Sequence, residues 1–147
     1  MAVAATHASP SDRAKQQYGL VWNFVEPFFL VPFLSGFGGW VFEQDSSIPA
    51  LDTPEVVAAL QFVVALQQHR VLPANCDYET ADMLFKSGRA AMIINGDWSW
   101  SDYLSNTNID AVIAPLPVVS KTGLPMAPMV ATKGYSLNIN AQGAQVE

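Results

Sequence analysis

The chain has 147 residues, of which 50% are hydrophobic and only 14% charged, with a formal net charge of −6. That length accommodates one compact domain and is short for two well-packed ones, and so low a charged fraction leaves more apolar surface than a self-sufficient monomer usually shows. The seven Lys and Arg are scattered, which excludes nucleic acid as a partner because phosphate binding needs clustered cations.

The single cysteine, Cys76, excludes an internal disulfide and a thiolate-based metal site, and reads as a small half-buried residue at a loop. The most apolar run, residues 27–42, lies between Glu26 and Glu43 and is interrupted by Pro32, Gly36, Gly38 and Gly39. It is shorter than the roughly 20 residues that span a bilayer. Residues 1–17 lack a basic stretch followed by a long apolar one, so they read as a flexible lead-in and not as a signal peptide.

In chain order, residues 18–24 (Tyr-Gly-Leu-Val-Trp-Asn-Phe) read as a strand buried on both faces. Glu26 and Pro27 then open a short helix over residues 27–34, proline being suited to the first turn and a carboxylate to the positive end of the dipole. Residues 40–42 form a short strand and residues 44–52 a polar loop. Thr53, Pro54 and Glu55 give the clearest helix start of the chain. That helix runs to about His69, with Val56, Leu60, Val63, Val64 and Gln67 as its stripe. Asp77 caps a further helix over residues 78–87, ended by Gly88, with Tyr78, Ala81, Leu84 and Phe85 inward. Residues 90–94 are a buried strand that breaks at Asn95-Gly96, a pair that permits positive φ. A short helix over residues 97–104 and a strand over residues 109–114 follow. Four prolines make residues 115–128 irregular, and residues 134–139 read as a last strand. The alternation argues an α/β fold with a partly parallel sheet.

A strand that leaves the core and delivers aromatics at its C-terminal end is how open α/β sheets present ligand sites. Trp98 and Trp100 sit in that position, among Asp97, Ser99, Ser101 and Asp102. An indole face stacks on a pyranose while polar neighbours meet its hydroxyls. On a short helix the two indoles point about 200° apart, so one faces the ligand and the other packs inward. Core packing of both is the competing reading. Glu26, wedged between Val25 and Pro27 at the end of a buried strand, is the second candidate, with Phe28 and Phe29 lining the site; a helix-start charge with no ligand competes with it. Glu26 with Asp97 also raises a glycosidase alternative, since such enzymes need two acids across the scissile bond. Histidine occurs only at His7 and His69, no Gly-x-Ser-x-Gly is present, and Gly36-Phe37-Gly38-Gly39 follows a helix where a dinucleotide fingerprint follows a strand. Neither a metal cluster nor a cofactor motif is visible, so no cofactor is expected.

Together these residues resemble a family. Residues 23–29, Asn-Phe-Val-Glu-Pro-Phe-Phe, are similar to the Asn-x-x-Glu-Pro-Tyr-Phe of maltose/maltodextrin-binding proteins, the extracellular solute-binding components of ABC sugar importers. Gly38-Gly39-Trp40-x-Phe42 resembles their Gly-Gly-Tyr-x-Phe. Residues 85–101 resemble their Phe-x-x-Gly-x-x-Ala-Met-x-x-Asn-Gly-Pro-Trp-Ala-Trp-Ser, and Pro115-Leu116-Pro117 and residues 134–140 match in order. The resemblance covers about residues 18–140. It implies one lobe of a two-lobed, type II periplasmic-binding-protein-like fold that closes by a hinge motion. Residues 18–114 would be mainly the C-terminal lobe and residues 115–147 a crossover segment and strand toward the other lobe. It further implies an oligosaccharide ligand, no catalysis, ABC permease subunits as partners, and an extracellular or periplasmic location, lipid-anchored or secreted. Glu26, Phe28 and Phe29 would line the cleft, Trp98 would be the stacking platform and Trp100 a support. Phe28 stands where the pattern has Tyr, which removes a hydroxyl. Asp97 stands where it has Pro, which adds an acceptor. Another polyol or a phosphorylated solute is the alternative ligand class, and self-association through surfaces that the other lobe would cover is a further expectation.

Overall fold

A computed structural model describes residues 16–142. The lead-in expected over residues 1–17 lies almost wholly outside them, as do residues 143–147.

The centre of the molecule is the segment 18–24. Val21, Trp22 and Asn23 are buried, and this segment joins the two sides of the core. It runs parallel to residues 89–94 through the bridges Tyr18–Ala90 and Val21–Ile93. On its other side Gly19 and Phe24 donate backbone N–H groups to Val71 and Cys76 at 3.3 and 2.8 Å. Strands are expected over residues 18–24 and 90–94, but among the described residues this parallel contact makes isolated bridges and no continuous strand. A regular ladder returns to the same neighbour every second residue; here the bridges lie three residues apart on both chains, which breaks the repeat.

Residues after Glu26 turn first through a 3-10 helix, Pro27–Leu30, and then α1, Val31–Gly36. Pro32 falls in the first turn of α1, where its missing N–H is harmless. The helix α2, Pro54–Gln68, starts where Thr53 caps it, the Thr53 Oγ1 accepting the Val56 N–H at 3.4 Å. Its inner face is Val56 and Ala59 with Val63 and Leu66 half-buried. Leu60 and Val64, expected on the inner stripe, are exposed. The helix is apolar nearly all round, so periodicity does not choose its face. The helix α3, Tyr78–Lys86, is capped by Asp77, whose Oδ1 accepts the Thr80 N–H at 2.8 Å. Ala81 and Leu84 are buried, as their spacing requires. A 3-10 turn, Asp97–Ser99, leads into α4, Trp100–Ser105.

Phe42 and Pro49 pair as an antiparallel bridge, so the polar loop between them is a hairpin turn, with Asp45 at φ 55. The proline-rich segment is also a hairpin, closed by the bridge Val118–Pro125. It seats on the end of α1: Thr122 Oγ1 donates to Gly36 O at 2.6 Å, and Ser35 Oγ bonds both Ala127 O and Ala127 N. A Cβ at Gly36 would fall 2.6 Å from Val119 and 2.8 Å from Met126, so only glycine allows this approach. The strands expected over residues 109–114 and 134–139 are absent from the described residues. Both stretches are irregular, without bridges to a neighbour, and largely exposed, Val112 at 84% and Tyr135 and Ile139 almost completely. A strand exists only through its neighbour's hydrogen bonds, and neither stretch has such a neighbour here.

Candidate functional site

The site begins where residues 89–94 leave the parallel pairing. Asn95 organises the turn: its Oδ1 accepts the Gly96 N–H at 2.8 Å, and its Nδ2 donates to the Tyr103 hydroxyl at 2.7 Å. Ser99 N–H then closes onto Gly96 O at 3.1 Å. Gly96 does not use positive φ, as the Asn-Gly pair suggests; its backbone is extended, at φ −80 and ψ 167. The glycine serves another purpose. The six-membered ring of Trp98 lies over it, and a Cβ there would come within 2.1–2.4 Å of three indole carbons.

Trp98 is 58% exposed and yet fixed at its edge, its Nε1–H donating to the Tyr78 hydroxyl at 2.8 Å. That hydroxyl also bonds Ser99 Oγ at 2.9 Å. Phe28 lies beside the indole, with ring centroids 6.5 Å apart and planes at 43°. Glu26 is exposed at the N-cap of the 3-10 helix and makes no cap hydrogen bond. Upstream, Asn23 is 3% exposed and its Oδ1 accepts the Val25 N–H at 3.0 Å, an Asx turn that swings the chain out of the core toward Glu26. Asp97 is exposed at the first position of the 3-10 turn.

Two expected site residues are placed differently. Phe29 is 4% exposed and packs with Trp22, Phe33 and Leu72. Its ring meets Phe28 edge to face at 5.3 Å, so it backs the wall and does not face solvent. Trp100 does not pack inward; it is 45% exposed. The inward positions belong to Ser99 and Tyr103, which are both buried and four residues apart, hence on one helix face. Asn95, expected at the turn, carries the geometry together with Tyr78 and Ser99, to which the sequence assigned no role at the site. The available signal was a Tyr at the first position of α3 whose hydroxyl, turned inward, needs a partner.

A second network lies behind the first. The Tyr103 hydroxyl donates to Asp82 Oδ1 at 3.0 Å, and Lys86 Nζ reaches Asp82 at 2.9 Å and Asp102 at 3.5 Å. Burial, with the Asp82 carboxylate adding to it, pushes the Tyr103 phenol up to about 12. At Tyr78 burial pushes up too, but the hydrogen bonds from Ser99, Trp98 and Asn95 outweigh it and leave the phenol below its ordinary value. The hydrogen bond to Asp82 raises Lys86. These contacts lock the turn carrying Trp98 to α3. No group of three His, Cys, Asp or Glu suited to a metal ion occurs among the described residues. The site is an open wall; two open concavities, about 690 and 440 Å³, lie elsewhere, beside Trp40 and Phe42 and on the outer face of α2.

Residues 4–145 match the model of a family described as bacterial extracellular solute-binding protein. The chain is 31% identical over 112 residues to the maltotriose-binding protein of Pyrococcus abyssi (strain GE5 / Orsay), a match spanning 76% of this chain and 24% of that protein. It is similar in structure to the maltose/maltodextrin-binding domain MalE from Bdellovibrio bacteriovorus bound to maltotriose, with a TM-score of 0.80 and 42% identity, over 96% of this chain and 37% of that one. The fold is thus shared with that binding domain, and the chain spans about a quarter to somewhat over a third of the length of these two relatives. On the family match, which covers nearly its whole length, the chain belongs to the bacterial extracellular solute-binding proteins.

Proposed function

We propose that the chain forms one wall of an oligosaccharide cleft in the substrate-binding component of an ABC sugar importer. The observation that carries this is Trp98: a large apolar ring left 58% exposed, yet held at its edge by a hydrogen bond and seated on a glycine. An exposed aromatic face held rigid suits the apolar face of a sugar ring, because little entropy remains to be lost on binding. Phe28 extends that apolar surface, and the Glu26 and Asp97 carboxylates supply acceptors for hydroxyls, with Trp100 as a second exposed ring at the rim. The names of the two relatives, both tied to maltotriose, favour a maltodextrin over another polyol or a phosphorylated solute.

In this reading residues 18–114 form most of the C-terminal lobe of a two-lobed type II fold, whose sheet is partly parallel around residues 18–24. Residues 115–147 lead toward the other lobe. The whole protein works outside the cytoplasmic membrane and hands sugar to permease subunits, with no cofactor and no bond cleavage. Maltotriose is therefore expected to emerge intact from incubation with the chain.

Titrating maltotriose against intrinsic tryptophan fluorescence tests the wall. A single wall offers a fraction of the contacts, so binding by this chain is expected in the high-micromolar range or weaker, and Trp98→Ala should abolish it. Unchanged affinity in Trp98→Ala would sink the reading. Light scattering on the same samples should show concentration-dependent association, because Val112, Val130, Tyr135 and Ile139 stand exposed together with unpaired backbone. A clean monomer at every concentration would count against that part.

A further inference from the structure

The Trp98 indole has three restraints, and each comes from a different kind of residue. Gly96 is its seat, because the missing Cβ leaves room for the six-membered ring. Phe28 stands at its side, with ring centroids 6.5 Å apart. The third restraint is polar. Trp98 Nε1–H donates to the Tyr78 hydroxyl at 2.8 Å. An indole has one polar atom and it is a donor only. Once that donor is spent on Tyr78, what Trp98 can offer outward is its π-face and its C–H edge.

Tyr78 is itself held. It occupies the first position of α3, directly after the Asp77 cap. Its hydroxyl is shared with Ser99 Oγ at 2.9 Å, and Ser99 is 5% exposed. Ser99 also closes the turn through its backbone N–H to Gly96 O. The chain from α3 through Tyr78 and Ser99 to the indole therefore fixes the ring relative to a capped helix and to the turn beneath it. No apolar contact with Tyr78 would set the rotation of the indole about its Cβ–Cγ bond in this way, because a hydrogen bond is directional and a ring contact much less so.

We propose that Tyr78 is a positioning residue of the sugar wall: its hydroxyl sets the orientation of the Trp98 indole, so that Trp98 presents a ring face and no free N–H donor to the ligand. The inference rests on the reading of Trp98 as the sugar platform, but the orientation itself is measurable without a sugar. Discrimination at this position then comes from the shape and apolarity of the sugar face, and hydroxyl pairing falls to Glu26 and Asp97.

The test is Tyr78→Phe, which keeps the ring and removes the hydroxyl, with Ser99→Ala as the second variant. Each is followed in the 15N-labelled chain by the Trp98 indole N–H resonance, assigned through Trp98→Phe, and by maltotriose titration. In Tyr78→Phe the indole resonance should move and exchange faster with water, the unfolding midpoint should stay near that of the parent, and maltotriose affinity should fall about two- to tenfold, the worth of one net hydrogen bond. Ser99→Ala should move the same resonance by less. An indole resonance unmoved by Tyr78→Phe overturns the proposal whatever happens to binding. An indole that moves while affinity holds, with Trp98→Ala still abolishing binding, overturns the claim that this orientation matters to the sugar. If Trp98→Ala leaves binding intact while Tyr78→Phe still moves the indole, the positioning contact stands and it is the sugar reading of Trp98 that fails.

Discussion

The turn from Asn95 to Tyr103 and the irregular stretch over residues 109–140 are both rich in apolar side chains, yet only the first is tied down by a network. Around Trp98 the hydroxyls of Tyr78, Ser99 and Tyr103 and the amide of Asn95 all find partners at 2.7–3.0 Å. Over residues 109–140 the contacts gather at one place, the hairpin seated on α1 through Val119, Thr122 and Met126. On either side of that hairpin Val112, Val130, Tyr135 and Ile139 face solvent. The difference teaches that exposure has two meanings here. Trp98 is exposed and held rigid, which is costly unless something binds it, whereas the exposed apolar residues of the later stretch are simply uncovered.

The largest effect should come from the residue that supports both regions. Trp22 is 2% exposed and packs with Phe29, behind the Phe28–Trp98 wall, and with Met126, under the hairpin. Trp22→Ala should cost about 3–5 kcal/mol, read as a lower urea midpoint. A loss well under 1 kcal/mol would mean that the two regions do not share a core. Gly36→Ala comes next and should separate them. The new Cβ would press on Val119 and Met126, an overpacking worth about 1–3 kcal/mol. Limited proteolysis should then speed up between residues 115 and 128 while the Trp98 indole resonance stays in place. Equal disturbance of both would contradict the independence of the two regions.

Raising the pH should act through one buried phenol of the network and one buried thiol of the core beside it. The Tyr103 phenol is pushed up to about 12 and the Cys76 thiol to about 11, each chiefly by burial. The folded state therefore keeps protons that the unfolded chain releases from its ordinary values of 9.0 for Cys and 10.0 for Tyr. Their contribution to stability is complete below those ordinary values and is lost as pH rises through about 9–12. Urea midpoints should fall across that window, less steeply in Tyr103→Phe. A flat profile would show that these groups are not buried as described.

What could be read from the sequence follows the same division. Thr53 and Asp77 announced their helices because a cap is a local device of one side chain and one nearby N–H. The apolar character of residues 18–24 and 90–94 was legible as two separate runs, though not that the two lie side by side, and the motif around Asn95-Gly96-Asp97-Trp98 pointed to the exposed ring. The reason for Gly96 was not legible, since it lies in where a ring two residues later comes to rest. The role of Tyr78 was hidden likewise, because its partners are 20 and 21 residues away. Phe29 and Trp100 show the limit from the other side. Phe29 was expected to line the cleft and Trp100 to pack inward as a support, but burial in the Trp22 cluster claimed Phe29, and Ser99 and Tyr103 took the inward face and left Trp100 exposed at the rim. The strands expected over residues 109–114 and 134–139 have the right composition and lack only a neighbour to pair with.

The account depends most on the face of Trp98. Saturation-transfer NMR on the chain with maltotriose, irradiating the indole C–H protons, tests it directly. Transfer to the pyranose ring C–H protons, lost in Trp98→Ala and retained in Trp100→Ala, is the predicted result. Transfer that survives Trp98→Ala, or that vanishes with Trp100→Ala instead, would contradict the assignment of Trp98 as the platform.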